Sequence, residues 1–334
     1  MHQLTESATL DLSIVVVSWN VKTLLAACLQ SIYASLSAPD APSCEVIVVD
    51  SASSDGSAEM VQSEFPQVRL LAQQENVGFT RGNNLAIAQS HGRYLLLLNP
   101  DTVVIGPALA KMVAYMDTHP QVGVLGPQLL NPDGSVQSSR RRFPTLATAF
   151  WESTVLHEWF PYNAAARRYH MQDRPDDEEQ EVDWVTGACF LVRREALARV
   201  GLLDEGFFMY SEELDLAYRI KRAGWRVVYL PSAQVIHHEG QSSAQVKAAS
   251  HIYFQSSKVR FVRKYLGPTR AEVLRWFLLG TYVYQWLREG AKWLLGSKRT
   301  LRRDRMRAYV QVLRSGLKRS TRVDSPTGMA RGAS

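Results

Sequence analysis

Hydrophobic and polar positions come in short alternating blocks over the first hundred residues. Ser13-Ile14-Val15-Val16-Val17 is a β-branched run, the pattern of a strand covered on both faces in a parallel sheet. Lys22 to Leu36 carries apolar residues at helical spacing, and Glu45-Val46-Ile47-Val48-Val49 predicts a second buried strand ending at Asp50. The turn Ser51-Ala52-Ser53-Ser54-Asp55-Gly56-Ser57 leads into another helix. Val68 to Leu71 then reads as strand, Gly82 to Ser90 as helix, and Tyr94 to Leu98 as a fourth strand closed by Asn99-Pro100-Asp101. Such alternation predicts an α/β fold with a doubly wound, Rossmann-like sheet, whose ligands sit at the carboxyl ends of the strands. Asp50 and Asp101 both fall at such ends.

After Gly123 the pattern loosens into turns, including Asn131-Pro132-Asp133-Gly134, and an acidic loop from Asp173 to Glu181. Order returns at Asp183 to Ala188, ahead of the strand-like Cys189 to Val192. Ser211 has the position of an N-cap for a helix from Glu212 to Ala223, stopped by Gly224, and Gln234-Val235-Ile236 reads as strand. From Tyr253 onward the chain is aromatic and basic, with a helix expected from Ala271 to Leu295. Its longest apolar stretch, Trp276 to Leu287, is well short of the roughly twenty residues that span a bilayer.

Charge sharpens this division. From Lys258 to the end there are 19 Lys and Arg against 4 acids, within a chain of 334 residues whose net charge is only +6. The C-terminal part alone therefore has a strong positive field. Aromatic rings suit the headgroup region and cations suit anionic lipid, which favours a helix lying on a membrane over a buried or oligomer-forming helix pair. The divisions expected are 10–125 for nucleotide-sugar binding, 126–255 for acceptor binding and catalysis, 256–320 for a basic, amphipathic helical extension, and a disordered tail over 321–334. Cys28, Cys44 and Cys189 have neither metal-ligand nor redox spacing, and no signal peptide is apparent, which points to buried thiols in a reducing compartment.

Five segments carry candidate chemistry. Asp50 either accepts a hydrogen bond from the N3–H of uracil or thymine or starts an ordinary turn. Asp101, emerging from Leu95-Leu96-Leu97-Leu98, is placed to bind a hard divalent cation, with Asn99 the weaker ligand, or else the segment is a strand-end turn. One imidazole of His237-His238 would complete such a site. Glu212, Glu213 and Asp215 occupy a first helical turn, where the dipole favours their ionised form while mutual repulsion and aromatic neighbours raise their pKa. They serve either as a general base or as helix-capping charge. Asn76 to Asn84 is glycine-containing and carries Arg81, which either meets a phosphate or stays solvated.

Taken in order, these segments resemble family-2 glycosyltransferases of the GT-A fold, especially the bacterial rhamnosyltransferase-like branch. The motifs are Val-Val-Ser-Trp-Asn at 16–20, Val-Asp-Ser with Ser-Asp-Gly-Ser at 49–57, Asn-x-Gly-Phe at 76–79 and Asn-Pro-Asp-Thr at 99–102. They continue with Trp-Val-Thr-Gly-Ala at 184–188, Phe-Met-Tyr-Ser-Glu-Glu-Leu-Asp-Leu at 208–216 and His-x-x-Gly-x-Ser at 237–242. The resemblance implies a GT-A mixed sheet and a nucleotide-sugar site formed by Ser18, Asn20, Asp50, Ser51, Asp55, Asn76, Gly78, Phe79, Arg81, Asn83 and Asn99. It implies Asp101 and His237 as ligands of Mg²⁺ or Mn²⁺, and Glu213, with Glu212 and Asp215, as the catalytic acids. Trp184 and Gly187 would lie near the donor sugar and the acceptor. Asn99 replaces the first acid of the family's Asp-x-Asp motif, and Glu213 replaces its commoner Asp.

The expected activity is an inverting transfer of a sugar, rhamnose from dTDP-rhamnose among the candidates, from a dTDP- or UDP-linked donor to a lipid-linked or polysaccharide acceptor. Its expected setting is the inner face of the cytoplasmic membrane, on an anionic surface, with no nucleic acid among its partners and a homo-oligomer as a further option. Two other classes compete. A sugar-phosphate nucleotidyltransferase would have a Gly-rich, basic loop after the first strand, where Ser18-Trp19-Asn20 stands instead. A non-catalytic nucleotide-sugar-binding assembly protein would not need Asp101 and Glu213 together.

Overall fold

The computed structural model describes residues 10–152, 154–160, 163–240, 247–296 and 298–318. The tail expected over 321–334, and Gln241 and Ser242 of the last motif, lie outside the described residues. The chain forms two compact units: a sheet unit of residues up to 143, 167–205 and 212–242, and a helical unit of 144–166, 206–211 and 243 onward.

In chain order the elements are β1 (Leu10–Ser18), α1 (Lys22–Leu36), β2 (Cys44–Asp50), α2 (Ser57–Glu64), β3 (Arg69–Ala72), α3 (Gly78–Ile87), β4 (Gly92–Leu98), β5 (Thr102–Val104), α4 (Ala108–Thr118) and β6 (Val122–Leu130). Then come β7 (Val136–Gln137), β8 (Arg140–Arg141), α5 (Leu146–Trp151), α6 (Val155–Trp159), α7 (Ala164–Tyr169), β9 (Gln180–Glu181), β10 (Trp184–Val185), β11 (Cys189–Arg193), α8 (Arg194–Val200), α9 (Glu212–Arg222) and β12 (Arg226–His237). The last helices are α10 (Lys247–Tyr265), α11 (Pro268–Leu294) and α12 (Arg299–Ser315).

The main sheet runs β3-β2-β1-β4-β11-β6-β12-β5. The first four are mutually parallel, as their near-continuous apolar runs predict, while β11 enters antiparallel between β4 and β6. The sheet is therefore mixed. Its core joins Ile14, Val16, Val48 and Leu96 to Leu25, Leu29 and Ile32 of α1, which recur on one face at i, i+4 and i+7.

Three departures from the local pattern have identifiable causes. The start of the stretch after Gly123, read as loosening into turns, belongs to the nine-residue strand β6, which includes Gly126 and Pro127. Gly126 fits there because a Cβ would lie 2.7 Å from Val185 Cβ, so only a bare backbone allows Val185 to pack on it. β12 is longer than Gln234–Ile236, because a register shift between Leu230 and Gln234 absorbs Pro231 within the strand. α3 begins at Gly78 instead of Gly82, since Gly78 takes φ 76° and its N–H donates to Asn76 Oδ1 at 2.9 Å.

In the helical unit, Ile252, Val259 and Val262 of α10 and Leu274, Leu278 and Tyr282 of α11 form a core with Val312 of α12. Glu289 of α11, almost wholly buried, is paired by Arg302 at 2.5 Å and Arg305 at 3.6 Å. Among the described residues no helix is long and apolar enough to cross a membrane.

Candidate active site

Parallel pairing sets Ser18 opposite Asp50 and Val16 opposite Leu98, so the loops after β1, β2 and β4 open at one sheet edge. Asp50 is buried there, and its Oδ2 accepts the Ser53 N–H at 3.0 Å. Its Oδ1, like Ser18 Oγ, is buried with no hydrogen-bond partner among the described residues. An unsatisfied buried acceptor costs on the order of 1–3 kcal/mol, more if charged, which makes this oxygen a receptive point for a donor such as a base N–H.

The surrounding loops brace one another. Asn20, in the left-handed region at φ 52°, donates its N–H to Ser53 Oγ at 2.9 Å and accepts the Ser54 N–H at 2.7 Å through Oδ1. Ser51 Oγ accepts the Val77 N–H at 3.0 Å and donates to Asn76 Oδ1 at 3.2 Å, tying the loop after β2 to the start of α3. Phe79 is half-buried, and Arg81 is exposed, 3.9 Å from Glu75.

Two members of the expected nucleotide set have other work in the fold. Asp55 Oδ2 accepts the N–H of Lys22, the first residue of α1, and its Oδ1 accepts from the N–H and Oγ of Ser57 at the start of α2. It thus caps two helices; burial pushes its carboxyl up, but the bonds from Ser57 and Lys22 outweigh this and hold it below the usual range. Asn83 has no exposed surface and donates to the Phe79 carbonyl within α3 at 2.9 Å.

Antiparallel pairing of β5 with β12 places Thr102 opposite His237, so Asp101, one residue before β5, meets the end of β12. His237 Nε2 lies 3.4 Å from Asp101 Oδ1 and 3.4 Å from Asn99 Nδ2, and both Asp101 and His237 are buried. The turn is held by Thr102 Oγ1, which donates to the Asn99 carbonyl at 2.7 Å, and by the Asn99 N–H, which donates to the Ala188 carbonyl at 2.9 Å.

The ring's tautomer follows from a residue that the sequence did not single out. Gln137 Nε2 donates to Asn131 Oδ1 at 3.1 Å and to the His237 carbonyl at 3.3 Å, which leaves Gln137 Oε1 to accept the His237 Nδ1–H at 2.8 Å. In the neutral ring Nε2 then carries the lone pair, 3.4 Å from a carboxylate oxygen. Two nearly buried electron-pair donors side by side fit a divalent cation, and a bond from the far ring nitrogen is the usual way a ligating imidazole is oriented. Among the described residues no third His, Cys, Asp or Glu joins them. Such an ion would thus depend on substrate phosphate and water for its remaining ligands, as Mg²⁺ and Mn²⁺ sites on diphosphates do.

The third group comes from α9. Glu212 is buried and Glu213 half-buried, and the Oε2 of each is enclosed without a hydrogen-bond partner among the described residues. Burial raises both pKa values. The Glu213 charge adds to the rise at Glu212, whereas N–H donors including that of Gly187, 3.4 Å from Oε1, and the charge of Arg141 moderate it at Glu213. Gly187 lies against the Glu213 side chain, and Trp184, whose Nε1–H donates to the Arg142 carbonyl at 3.0 Å, anchors the segment leading to it. A chain of neighbours therefore runs from His237 through Asn99, Ala188 and Gly187 to Glu213.

Asp215 sits apart from this role: it is fully buried and accepts from Arg219 at 2.8 Å, while that guanidinium also donates to the carbonyls of Val200, Gly201 and Leu202. Ser211 has φ 66° instead of the extended conformation of an ordinary N-cap, and Tyr210 before it has φ 69°. Consecutive left-handed non-glycine residues carry backbone strain directly before the acidic turn.

Comparison with known proteins gives this geometry a context. Residues 13–201 match Glycosyl transferase family 2. The chain is 35% identical over 267 residues to N-acetylglucosaminyl-diphospho-decaprenol L-rhamnosyltransferase of Mycobacterium tuberculosis, covering 76% of this chain and 85% of that one. It is 25% identical to Rhamnosyltransferase WbbL of Escherichia coli K12, over 56% of this chain and 70% of the relative. Among solved structures, the mannosyltransferase PcManGT from Pyrobaculum calidifontis in complex with GDP-Man and Mn²⁺ shares the fold, with a TM-score of 0.55, 18% identity, and coverage of 92% of this chain and 86% of that one. The chain belongs to glycosyl transferase family 2, and it is a glycosyltransferase of GT-A fold.

Proposed function

We propose that this family 2 enzyme is an inverting rhamnosyltransferase, moving rhamnose from a dTDP-linked donor to a lipid-linked acceptor in cell-envelope glycan synthesis. The identity to a rhamnosyltransferase named for a diphospho-decaprenol acceptor supports the substrate classes. The buried, unpartnered Asp50 Oδ1 supports a base bearing an N3–H, hence dTDP or UDP.

Asp101 and His237 would hold Mg²⁺ or Mn²⁺, with Asn99 alongside; when bound, the ion supplies positive charge that stabilises the departing diphosphate. Asn20, Ser51, Asn76, Gly78 and Phe79 line the braced loops on the donor side, and Arg81 has the exposure to reach a phosphate. Glu213 takes the proton of the acceptor hydroxyl as its oxygen attacks the anomeric carbon; burial raises the base's affinity for that proton, and Glu212 lies beside it in the same helical turn. Gly187 and Trp184 position the acceptor beside the base. The observation that carries this reading is the Glu213 carboxylate, enclosed with one oxygen unpartnered at the end of the chain of contacts leading from the Asp101–His237 pair.

Membrane association belongs to the same proposal. Val273, Trp276, Val283, Leu287 and Leu294 are exposed on one face of α11, at i, i+3, i+10, i+14 and i+21, and Trp159, also exposed, packs edge-on against Tyr284. An apolar, aromatic face on a basic unit supports a peripheral site on the anionic inner face of the cytoplasmic membrane.

The test is Glu213→Gln assayed with dTDP-rhamnose, UDP-sugars and a polyprenyl-diphosphate acceptor. Transfer should fall by about 10²–10⁴-fold while dTDP binding stays within a few-fold. Turnover near wild type would remove Glu213 as the base, and release of dTDP from none of the donors would remove the donor assignment.

A further inference from the structure

Between α11 and α12 the helical unit contains a groove of about 510 Å³ that plays no part in the site above. Trp286 and Trp293 of α11 form one wall, and Arg303, Met306, Arg307 and Arg314 of α12 contribute to the other. The two tryptophans recur at i and i+7, and the arginines at i, i+4 and i+11, so each set occupies a single helical face.

The cations of α12 divide into two groups. Arg302 and Arg305 share the buried Glu289 as their acidic partner. On the groove side, Arg307 reaches only the exposed Asp304, at 3.8 Å, and Arg303 and Arg314 make no ion pair among the described residues. The groove therefore combines an aromatic and thioether surface with three exposed guanidiniums, of which one has a weak acidic partner. Guanidinium forks match phosphate oxygens, and tryptophan suits the boundary between headgroup and acyl chain. On α11 the two tryptophans lie about a quarter-turn from the exposed face of Trp276, Val283 and Leu287. The groove thus flanks that apolar face.

We propose that this groove is a binding site for the headgroup of an anionic phospholipid, its phosphate on Arg303, Arg307 and Arg314 and its glycerol and first methylenes on Trp286, Trp293 and Met306. The proposal rests on the reading of the α11 face as membrane-facing, and it adds lipid selectivity to that reading.

The full chain is tested by flotation with phosphatidylcholine vesicles and with vesicles containing phosphatidylglycerol, and by titration with a short-chain, water-soluble phosphatidylglycerol followed by tryptophan fluorescence. Arg303→Gln/Arg307→Gln/Arg314→Gln should lower partition onto phosphatidylglycerol vesicles by on the order of a hundredfold, at about a factor of five per cation, and leave partition onto phosphatidylcholine unchanged. Arg168→Gln/Arg174→Gln/Arg199→Gln, which removes equal charge from the exposed surface of the sheet unit, should change either by no more than a few-fold. Equal losses from both triple variants would mean a diffuse field and overturn the site. Inorganic phosphate competing as well as the soluble lipid would overturn the lipid as occupant. Trp276→Ser/Leu287→Ser tests the membrane face separately: full vesicle binding by that variant would refute the membrane reading, while the soluble-lipid titration still decides the groove.

Discussion

Replacing Gln137 by Leu tests the metal site through a residue that would not touch the ion. In the intact protein Gln137 Oε1 accepts the His237 Nδ1–H at 2.8 Å and so selects the tautomer whose Nε2 lone pair faces Asp101. Leu removes that acceptor while retaining similar bulk. The ring is then free to take the other tautomer, in which an Nε2–H points at Asp101 Oδ1, 3.4 Å away, and occupies the position a cation would take. Loss of such an outer partner commonly weakens metal binding about 10–100-fold, or roughly 1.4–2.7 kcal/mol. Calorimetric titration of Mn²⁺ in the presence of dTDP measures this directly. Gln137→Glu, which keeps an acceptor at the same place, should restore affinity to within a few-fold of wild type. A Leu variant with unchanged Mn²⁺ affinity, or a Glu variant as weak as Leu, would refute the tautomer argument.

Because burial raises the pKa of both Glu212 and Glu213, the acid limb of kcat should lie above the ordinary glutamate range, with rate lost as pH falls and the base gains its proton. Glu212, the more strongly raised of the two, already holds its proton when Glu213 titrates, so Glu212→Gln should leave that limb in place; a limb moved to lower pH would show that a Glu212 charge is felt at Glu213. The sign for stability is opposite. Between the ordinary and the raised pKa the folded pair binds more protons than the unfolded chain, so stability falls as pH rises through that window, and Glu212→Gln should flatten the fall in thermal melts. Asp50→Ala should weaken dTDP binding by about tenfold, equivalent to one lost hydrogen bond to a charged group, in a thermal-shift titration; unchanged binding would leave Asp50 as a turn residue. Gly126→Ala, whose new Cβ would lie 2.7–2.8 Å from Val185 side-chain atoms, should cost about 1–3 kcal/mol in urea unfolding, and a neutral result would show that β10 can shift.

The sequence by itself determined the strands that later meet at the site edge. Ile14 to Val17, Val46 to Val49 and Leu95 to Leu98 are short β-branched or leucine-rich runs, and they are buried on both faces. It likewise exposed Asp50, Asp101, His237 and Glu213 as polar groups at the ends of apolar segments, and the basic, aromatic character of α11. What it did not expose are features whose cause lies far along the chain. Asp55 has the spacing of a loop acid but caps α1 across 33 residues. The i, i+4 spacing already offers Arg219 as a partner for Asp215, but not the carbonyls of Val200, Gly201 and Leu202 that fix that guanidinium.

Gly126 and Pro127 signal a turn locally, yet they lie in a buried strand because Val185 and β12 pack there. Gln137 is ordinary in sequence; the Asn131-Pro132-Asp133-Gly134 turn was legible, but only the β6–β7 hairpin it closes brings Gln137 to a histidine one hundred positions later. The division has a simple physical basis. Hydrophobic periodicity is set by neighbours a few residues apart and can be read along the chain, whereas the partner of a hydrogen bond, the tautomer of a histidine and the pKa of a buried carboxylate depend on what the fold brings within a few ångströms.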